Sequence, residues 1–318
     1  MTPPLKIVVT GAGGFVGGSV VQALLEAGAT VVAVDRTFGG ALRRAWERWG
    51  DRVLLVESDV ADMPPVEVDA LVHGAAVTAS PEEAGLSPEE NFRANLMPVL
   101  DALEWAKQQG ARRFVFLSST AVYRATSPGP VSETLTASPL GVYAVAKYAT
   151  ESLIETLRAV YGRDAAVARL SNIYGPAERA RPTRPRMSVV GRMIRAALET
   201  GILVVYRDDP ARDWTYAPDV GRAIHRMLTC PVLPHYLYHV APGQTLTPVE
   251  IAEAVRSLLP QVRLDVRSGV DPDAPSLTRR GTLSAERLRQ EVGFDDWTPF
   301  EDGIARIIDR ERQLEQAY

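Results

Sequence analysis

Apolar positions along the chain change their spacing several times, and each change marks an element. Leu5 to Thr10 is a short, largely β-branched run that ends in a glycine cluster, Gly11-Ala-Gly-Gly-Phe-Val-Gly17. Apolar residues then recur at helical spacing to about Ala27, so a buried strand, a tight turn and a helix are predicted. The alternation repeats with a strand at Thr30–Asp35, a helix at Gly40–Trp49 and strands at Arg52–Glu57 and Asp69–His73. A long helix follows at Pro88–Gln109, with Leu96, Val99, Leu100 and Leu103 spaced along it, then a strand at Arg113–Ser118 and a helix from about Val142. Strands interleaved with helices in this way predict an α/β architecture, a doubly wound parallel sheet with helices on both faces.

Past residue 170 the pattern becomes irregular, and Pro176, Pro182 and Pro185 break any long helix. Helices are predicted at Ser188–Glu199, Asp219–Leu228, Thr247–Leu259, Ser284–Glu291 and Pro299–Gln313, with a strand at Ile202–Tyr206. Ile304, Ile307, Ile308 and Leu314 fall at helical spacing and belong to a core or a subunit interface.

Composition narrows the classes. With 318 residues, 46% of them hydrophobic and 23% charged, the chain reads as a soluble globular protein of about two domains. A formal net charge of -4 and the lack of a lysine-rich tail leave no electrostatic footprint for nucleic acid. Cys230 stands alone, which excludes an internal disulfide and a cysteine-rich zinc site, and no metal site is expected. Cys230 sits in a helix-ending Leu-Thr-Cys-Pro stretch and reads as packing. No apolar run is long enough to span a membrane, and the chain opens on a strand; a cytoplasmic protein is expected.

The candidate chemistry begins at the glycine cluster. Gly11, Gly14 and Gly17 are spaced so that backbone N–H groups at a helix N-terminus can approach a pyrophosphate. Asp35 ends the second strand, where a carboxylate accepts hydrogen bonds from both ribose hydroxyls and would repel a 2′-phosphate, which favours NAD over NADP. Arg36 beside it works the other way. Asp59 and Val60 follow the third strand at the same sheet edge, where a side chain can reach the adenine, and Ala75 and Ala76 leave room for the middle of the cofactor. Asn95 sits inside a helix where Asn is a poor helix former, as a structural hydrogen bond or a cofactor contact. His73, at a strand end, is satisfied locally in this reading and is not a base.

Tyr143 and Lys147 are four residues apart and share a helix face. A nearby ammonium and a positive nicotinamide ring would favour the phenolate and bring the phenol toward its working range. Ser119, at the end of the fifth strand, can hydrogen-bond the same substrate oxygen.

Together these residues resemble the short-chain dehydrogenase/reductase superfamily, and more closely its extended branch of NAD-dependent nucleotide-sugar epimerases and dehydratases, of which UDP-glucose 4-epimerase is typical. The landmarks are Thr10-Gly-Ala-Gly-Gly-Phe-Val-Gly17, Asp59-Val60, His73-Gly-Ala-Ala76, Ser118-Ser-Thr-Ala-Val-Tyr123, Tyr143-Ala-Val-Ala-Lys147, Arg169-Leu-Ser-Asn-Ile-Tyr-Gly-Pro176 and Arg212-Asp-Trp-Thr-Tyr-Ala-Pro-Asp219. The resemblance implies a Rossmann domain over residues 1–173, with 214–240 returning to it, and a smaller mixed α/β substrate domain over 174–213 and 241–318. It implies bound NAD, a homodimer, Tyr143 as base, Lys147 as its modulator and holder of the nicotinamide ribose, and Ser119 as the third member. Gly11, Gly14, Phe15, Val16, Gly17, Asp35, Arg36, Asp59, Val60, Ala75, Ala76, Asn95, Tyr143 and Lys147 fall to the cofactor. Thr78, Ser119, Thr120, Asn172 and Arg212 fall to the substrate, Asn172 and Arg212 at a sugar nucleotide's diphosphate. Arg279 and Arg280 match another diphosphate arginine, and the choice between them stays open. Arg179, Arg181, Arg184 and Arg186 form a proline-broken basic loop able to meet a phosphate or a sugar carboxylate.

Two departures bear on the reaction. Dehydratases of this branch carry Asp-Glu where Thr120-Ala121 stand, so 4,6-dehydration is not expected. Arg124 replaces the usual glycine after Val-Tyr and alters the pocket rim. The expected activity is epimerisation of a nucleotide sugar at C4 through transient hydride transfer to NAD. Its alternatives are net dehydrogenation or reduction of a sugar, sugar acid or related alcohol, and a catalytically silent dinucleotide-sensing protein.

Overall fold

A computed structural model describes residues 4–124, 129–272 and 281–316. In chain order the first half forms β1 (Lys6–Thr10), α1 (Phe15–Glu26), β2 (Thr30–Asp35), α2 (Gly40–Glu47), β3 (Val53–Glu57), β4 (Ala70–His73), α3 (Pro81–Ala84), α4 (Pro88–Gln108), β5 (Arg113–Ser119), α5 (Val142–Tyr161) and β6 (Ala165–Leu170). The second half adds β7 (Asn172–Tyr174), α6 (Val189–Thr200), β8 (Ile202–Tyr206), β9 (Arg212–Tyr216), α7 (Ala217–Thr229), β10 (Leu237–Val240), β11 (Thr245–Leu246), α8 (Pro248–Leu258), β12 (Arg263–Arg267) and α9 (Phe300–Gln316).

Seven strands make one parallel sheet in the order β10-β6-β5-β4-β1-β2-β3, the doubly wound arrangement expected from the alternation. Side chains alternate across it. Ile7, Val9, Val31, Ala33, Val115 and Leu117 pack under α1 and α7, whereas Val8, Val32, Val34, Phe114 and Phe116 pack under α4 and α5. A third apolar cluster gathers Val190, Ile194, Trp214, Ile251, Val255, Ile304 and Ile308 around two small sheets, β11-β9-β7 and β12-β8. Ile304, Ile307 and Ile308 are therefore core residues, while the side chain of Leu314 lies outside the described residues. No helix among the described residues is long and apolar enough to cross a membrane.

Several short elements were not foreseen. β7, β9 and β11 are two to five residues long and exist through pairing with distant strands, so no local period announces them. The helix expected at Ser284–Glu291 is a wide π-turn at Leu288–Val292 that stops at Gly293 in the left-handed region. Within it Glu291 accepts the hydroxyl of Tyr238 at 2.8 Å and pairs with His235. Cys230 packs on the first cluster at the end of α7 with its Sγ over the Val232 carbonyl, as its setting suggested. The carbonyls of Met227 and Cys230 at that end are taken up by the buried guanidinium of Arg113 from β5.

A buried ion pair joins the sheet to the helix that carries the candidate base. Arg169 on β6 is 3% exposed, Glu151 on α5 is 1% exposed, and the Arg169 Nε donates to Glu151 at 2.9 and 3.1 Å. Ser118 donates to the same carboxylate, Arg169 also donates to Tyr123, and the Tyr123 hydroxyl meets His239 Nε2 at 2.8 Å. Removing one charge from such a pair leaves the other desolvated and uncompensated. Glu151→Gln should therefore cost about 3–5 kcal/mol in a urea unfolding titration. A loss below about 1 kcal/mol would show that the pair does not hold α5 to the sheet.

Candidate functional site

The turn between β1 and α1 is built by contact of backbone with backbone. Gly11 lies at φ +70°, and a Cβ on it would stand 2.6 Å from the nitrogen of Ala75. A Cβ on Gly17 would stand 2.0 Å from the Gly11 carbonyl oxygen. These approaches draw α1 down onto the strand ends, and Gly14 caps the helix without a side-chain acceptor, so its first N–H groups are free for an anion. Asp35 is fixed to this turn, one oxygen accepting the Gly13 N–H at 2.9 Å and the other the Arg36 N–H at 2.8 Å. Arg36 itself is exposed. Asp59 caps the turn after β3 through the Val60 N–H, and Val60 is buried. A cradle of bare backbone at a helix N-terminus with a carboxylate at the next strand end fits a dinucleotide.

Asn95, left open between two roles, belongs to the protein. Its amide accepts the Val77 N–H and donates to the carbonyls of Val77 and Asn91, all at 3.0 Å. These bonds pin the loop after β4 that carries Ala75 and Ala76. Sequence spacing could not reveal this, because Val77 is eighteen residues away.

Ser119, Tyr143 and Lys147 meet where β5 ends beneath α5. The Ser119 hydroxyl caps the turn at Ala121 and acts on the Tyr143 phenol, favouring its charged form. Lys147 donates to the Leu117 carbonyl at 2.9 Å and lies 4.4 Å from the Phe116 ring centre and 5.7 Å from that of Tyr143. Burial pushes the Lys147 amine down to about 7, with Glu151 one turn below opposing it. Burial also pushes the Tyr143 phenol up to about 12, against the pull of the Ser119 hydroxyl and the charge of Arg184. Arg184 is a second cation that favours the charged Tyr143 phenol, beside the Lys147 ammonium that lies 5.7 Å from its ring centre. His73 is neutral, pushed down to about 3 by burial, bound to Thr10 at 2.9 Å and stacked beside Phe114 and Phe116, which excludes it as a base at neutral pH.

The four loop arginines have different fates. Arg179 makes a two-pronged pair with Glu311 of α9, and Arg186 pairs with Glu83 of α3. Arg181 closes a small backbone bridge with Arg184. Arg184 turns inward: its guanidinium sits 5.0 Å from the Phe15 ring centre, pairs at 2.5 Å with the buried carboxylate of Glu178, and keeps its other terminal nitrogen buried and unpartnered. Thr78 is exposed and, with Ala79, donates to the Thr183 carbonyl, which straps this loop across the site. Thr120, Asn172 and Arg212 line one small cavity. Arg279 and Arg280 lie outside the described residues. Arg184 was visible only as one of a run. Its buried partner lies six residues earlier in an irregular loop, where no periodicity applies.

A model of the NAD dependent epimerase/dehydratase family matches residues 7–237, most of the chain. The chain belongs to that family. Members depend on NAD, which agrees with Asp35 at the end of β2. A dTDP-glucose 4,6-dehydratase of Streptomyces niveus is 28% identical over 324 residues, covering 96% of this chain and 92% of that one. The structure of MoeE5 in complex with UDP-glucuronic acid and NAD is 26% identical with a TM-score of 0.80, covering 97% of this chain and 99% of that one. The UDP-glucose-4-epimerase of Stenotrophomonas maltophila, with bound NAD and formylated UDP-arabinopyranose, has the same fold. Its TM-score is 0.84 at 23% identity, over 99% of this chain and all of that one. This protein is therefore an NAD-dependent enzyme of the extended short-chain dehydrogenase/reductase type.

Proposed function

We propose that the enzyme epimerises a nucleotide sugar at C4, and that the sugar carries a carboxylate. The contact between Ser119 and Tyr143 beside Lys147, at the edge of the glycine cradle, supports the first half of this reading. NAD, held at the Gly11–Gly17 turn and Asp35, would supply a reversible hydride acceptor for the carbinol carbon. Tyr143, as phenolate, takes the hydroxyl proton on the outward half and gives it back on the return. Ser119 holds the same oxygen in both directions. Arg184 favours the charged phenol against the burial that opposes it. Thr120 and Ala121 supply no acid and base for loss of water, in contrast with the Asp-Glu pair of the dehydratases.

Arg184 supports the second half. A guanidinium with one buried and unspent terminal nitrogen, beside Phe15 and within the field of Tyr143, suits an anionic substituent near the reacting carbon. MoeE5 binds UDP-glucuronic acid. We also infer that cofactor and substrate divide between residues 1–173 with 214–240 and residues 174–213 with 241–318, as the separate third apolar cluster suggests.

Tyr143→Phe should lower the epimerisation of UDP-glucuronic acid, followed by NMR of the product sugar, by about 10²–10⁴-fold while the purified protein keeps its NAD. Surviving turnover would overturn the mechanism. Protein that purifies without dinucleotide and reduces added NAD stoichiometrically would point to net dehydrogenation instead. A hydrogen bond to a charged group contributes about 1.5–3 kcal/mol. Arg184→Ala should therefore reduce kcat/KM for UDP-glucuronic acid relative to UDP-glucose by at least about tenfold; equal losses on both sugars would remove the carboxylate from the reading.

The same reading includes a homodimer. Met97, Leu100 and Val145 are 47%, 37% and 41% exposed on adjoining faces of α4 and α5, above a groove that also involves Phe92 and Leu96. A second copy covering this face would bury it. Sedimentation should give twice the monomer mass for the wild type and a monomer for a Met97→Glu, Val145→Glu variant; a monomeric wild type would refute the dimer.

A further inference from the structure

β9 delivers two adjacent charged residues to the cavity shared with Thr120, Asn172 and Leu283, and both keep a buried polar atom without a hydrogen-bond partner in the protein. One is Nε of Arg212 and the other is Oδ1 of Asp213. Asp213 is 5% exposed, and its Oδ2 accepts the Leu283 N–H at 3.1 Å. Its own carbonyl accepts the Asn172 amide at 2.9 Å, so Asn172 and Asp213 are held as one unit.

No charged side chain from another described element acts on Asp213. From β11 it faces Thr245, from the β6–β7 junction Ser171 and Asn172, and from the 281–284 segment the backbone of Leu283. The charge that balances Arg212 is Asp209, in the turn before β9. Burial alone therefore decides the state of the Asp213 carboxyl and carries it up to about 7, against the pull of the Leu283 N–H.

A diphosphate diester offers only acceptors. The Arg212 Nε is a donor, and Oδ1 is a donor only when Asp213 is protonated; ionised, it would set a negative charge beside the phosphates. We propose that Asp213 is a substrate-binding residue that acts in its protonated form, so that the enzyme takes up a proton when the nucleotide sugar binds. This rests on the reading that the cavity of Asn172 and Arg212 receives the substrate's diphosphate. The sign follows from linkage. A group whose carboxyl must be neutral in the complex weakens binding as pH rises through its free-enzyme value, and strengthens it below that value.

The test is calorimetric titration of NAD-loaded Tyr143→Phe protein, in which turnover is strongly slowed, with UDP-glucuronic acid and with UDP-glucose. Neither probe has a phosphate or carboxyl group that titrates between pH 6.5 and about 8.5. Measuring in two buffers of different ionisation enthalpy gives the protons exchanged. Uptake approaching one proton is expected at pH 8, with affinity falling toward tenfold per pH unit above neutrality. Adding Asp213→Asn should remove most of that uptake and flatten the pH dependence, while affinity near pH 7 stays within a few-fold. Any contribution from Lys147 is common to both proteins and cancels in the comparison. Binding without proton uptake in the parent protein overturns the proposal even if the Asn variant fails to fold, and so does equal uptake in both proteins. Failure of both sugars to bind overturns it together with the substrate reading.

Discussion

Everything in the site depends on how closely the β1–α1 turn can approach the ends of the neighbouring strands. The missing Cβ atoms at Gly11 and Gly17 let the turn lie against Ala75 on one side and fold α1 back over the Gly11 carbonyl on the other. That approach places Phe15 at the head of α1, and Phe15 is the surface on which Arg184 rests. The cradle for the anion and the seat of the inward arginine are thus one construction. A methyl group at either glycine would disturb both.

Within that frame, burial sets the resting state of the chemistry. Tyr143, Lys147, His73 and Asp213 are all moved toward their neutral forms, because the low dielectric penalises charge of either sign. Charge survives where it is paired or hydrogen-bonded. Glu151 is held by Arg169 and Ser118, and Glu178 by Arg184 and Ser188. These fixed charges act on the neutral groups across short gaps: Glu151 raises the Lys147 amine, and Arg184 lowers the Tyr143 phenol. The paired ions thereby bias the groups that exchange protons.

What could be read from the sequence was what local spacing encodes. The strand, glycine turn and helix at the start, Asp35 one strand later, Ser119 at the end of β5 and the Tyr143–Lys147 interval each depend on a few neighbouring residues, and the structure brings them to one sheet edge. The β7, β9 and β11 strands were invisible because their hydrogen-bond partners lie 30 or more residues away. Asn95 could not be assigned for the same reason, since its function is a bond to a loop that precedes its own helix. The segment from Ser284 looked helical by composition. It forms a π-turn that stops at Gly293, with Glu291 bonded to His235 and Tyr238.

The basic loop shows why charge patterning alone cannot locate a binding residue. Four arginines within eight positions look equivalent in sequence, yet the carboxylates available to each decide where it points. Glu311 and Glu83, on opposite flanks, draw Arg179 and Arg186 outward and tether the loop at both sides. Glu178 lies beneath the loop, 2% exposed, and already accepts the backbone and hydroxyl of Ser188. A carboxylate so buried requires a cation, and Arg184 is the one that can reach it while stacking on Phe15. The pairing uses one terminal nitrogen and leaves the other enclosed, which is an unfavourable arrangement for the free protein. A site that keeps a desolvated donor unspent discriminates strongly among ligands. A substrate that supplies the missing acceptor recovers the cost, and one that cannot supply it leaves the cost in place.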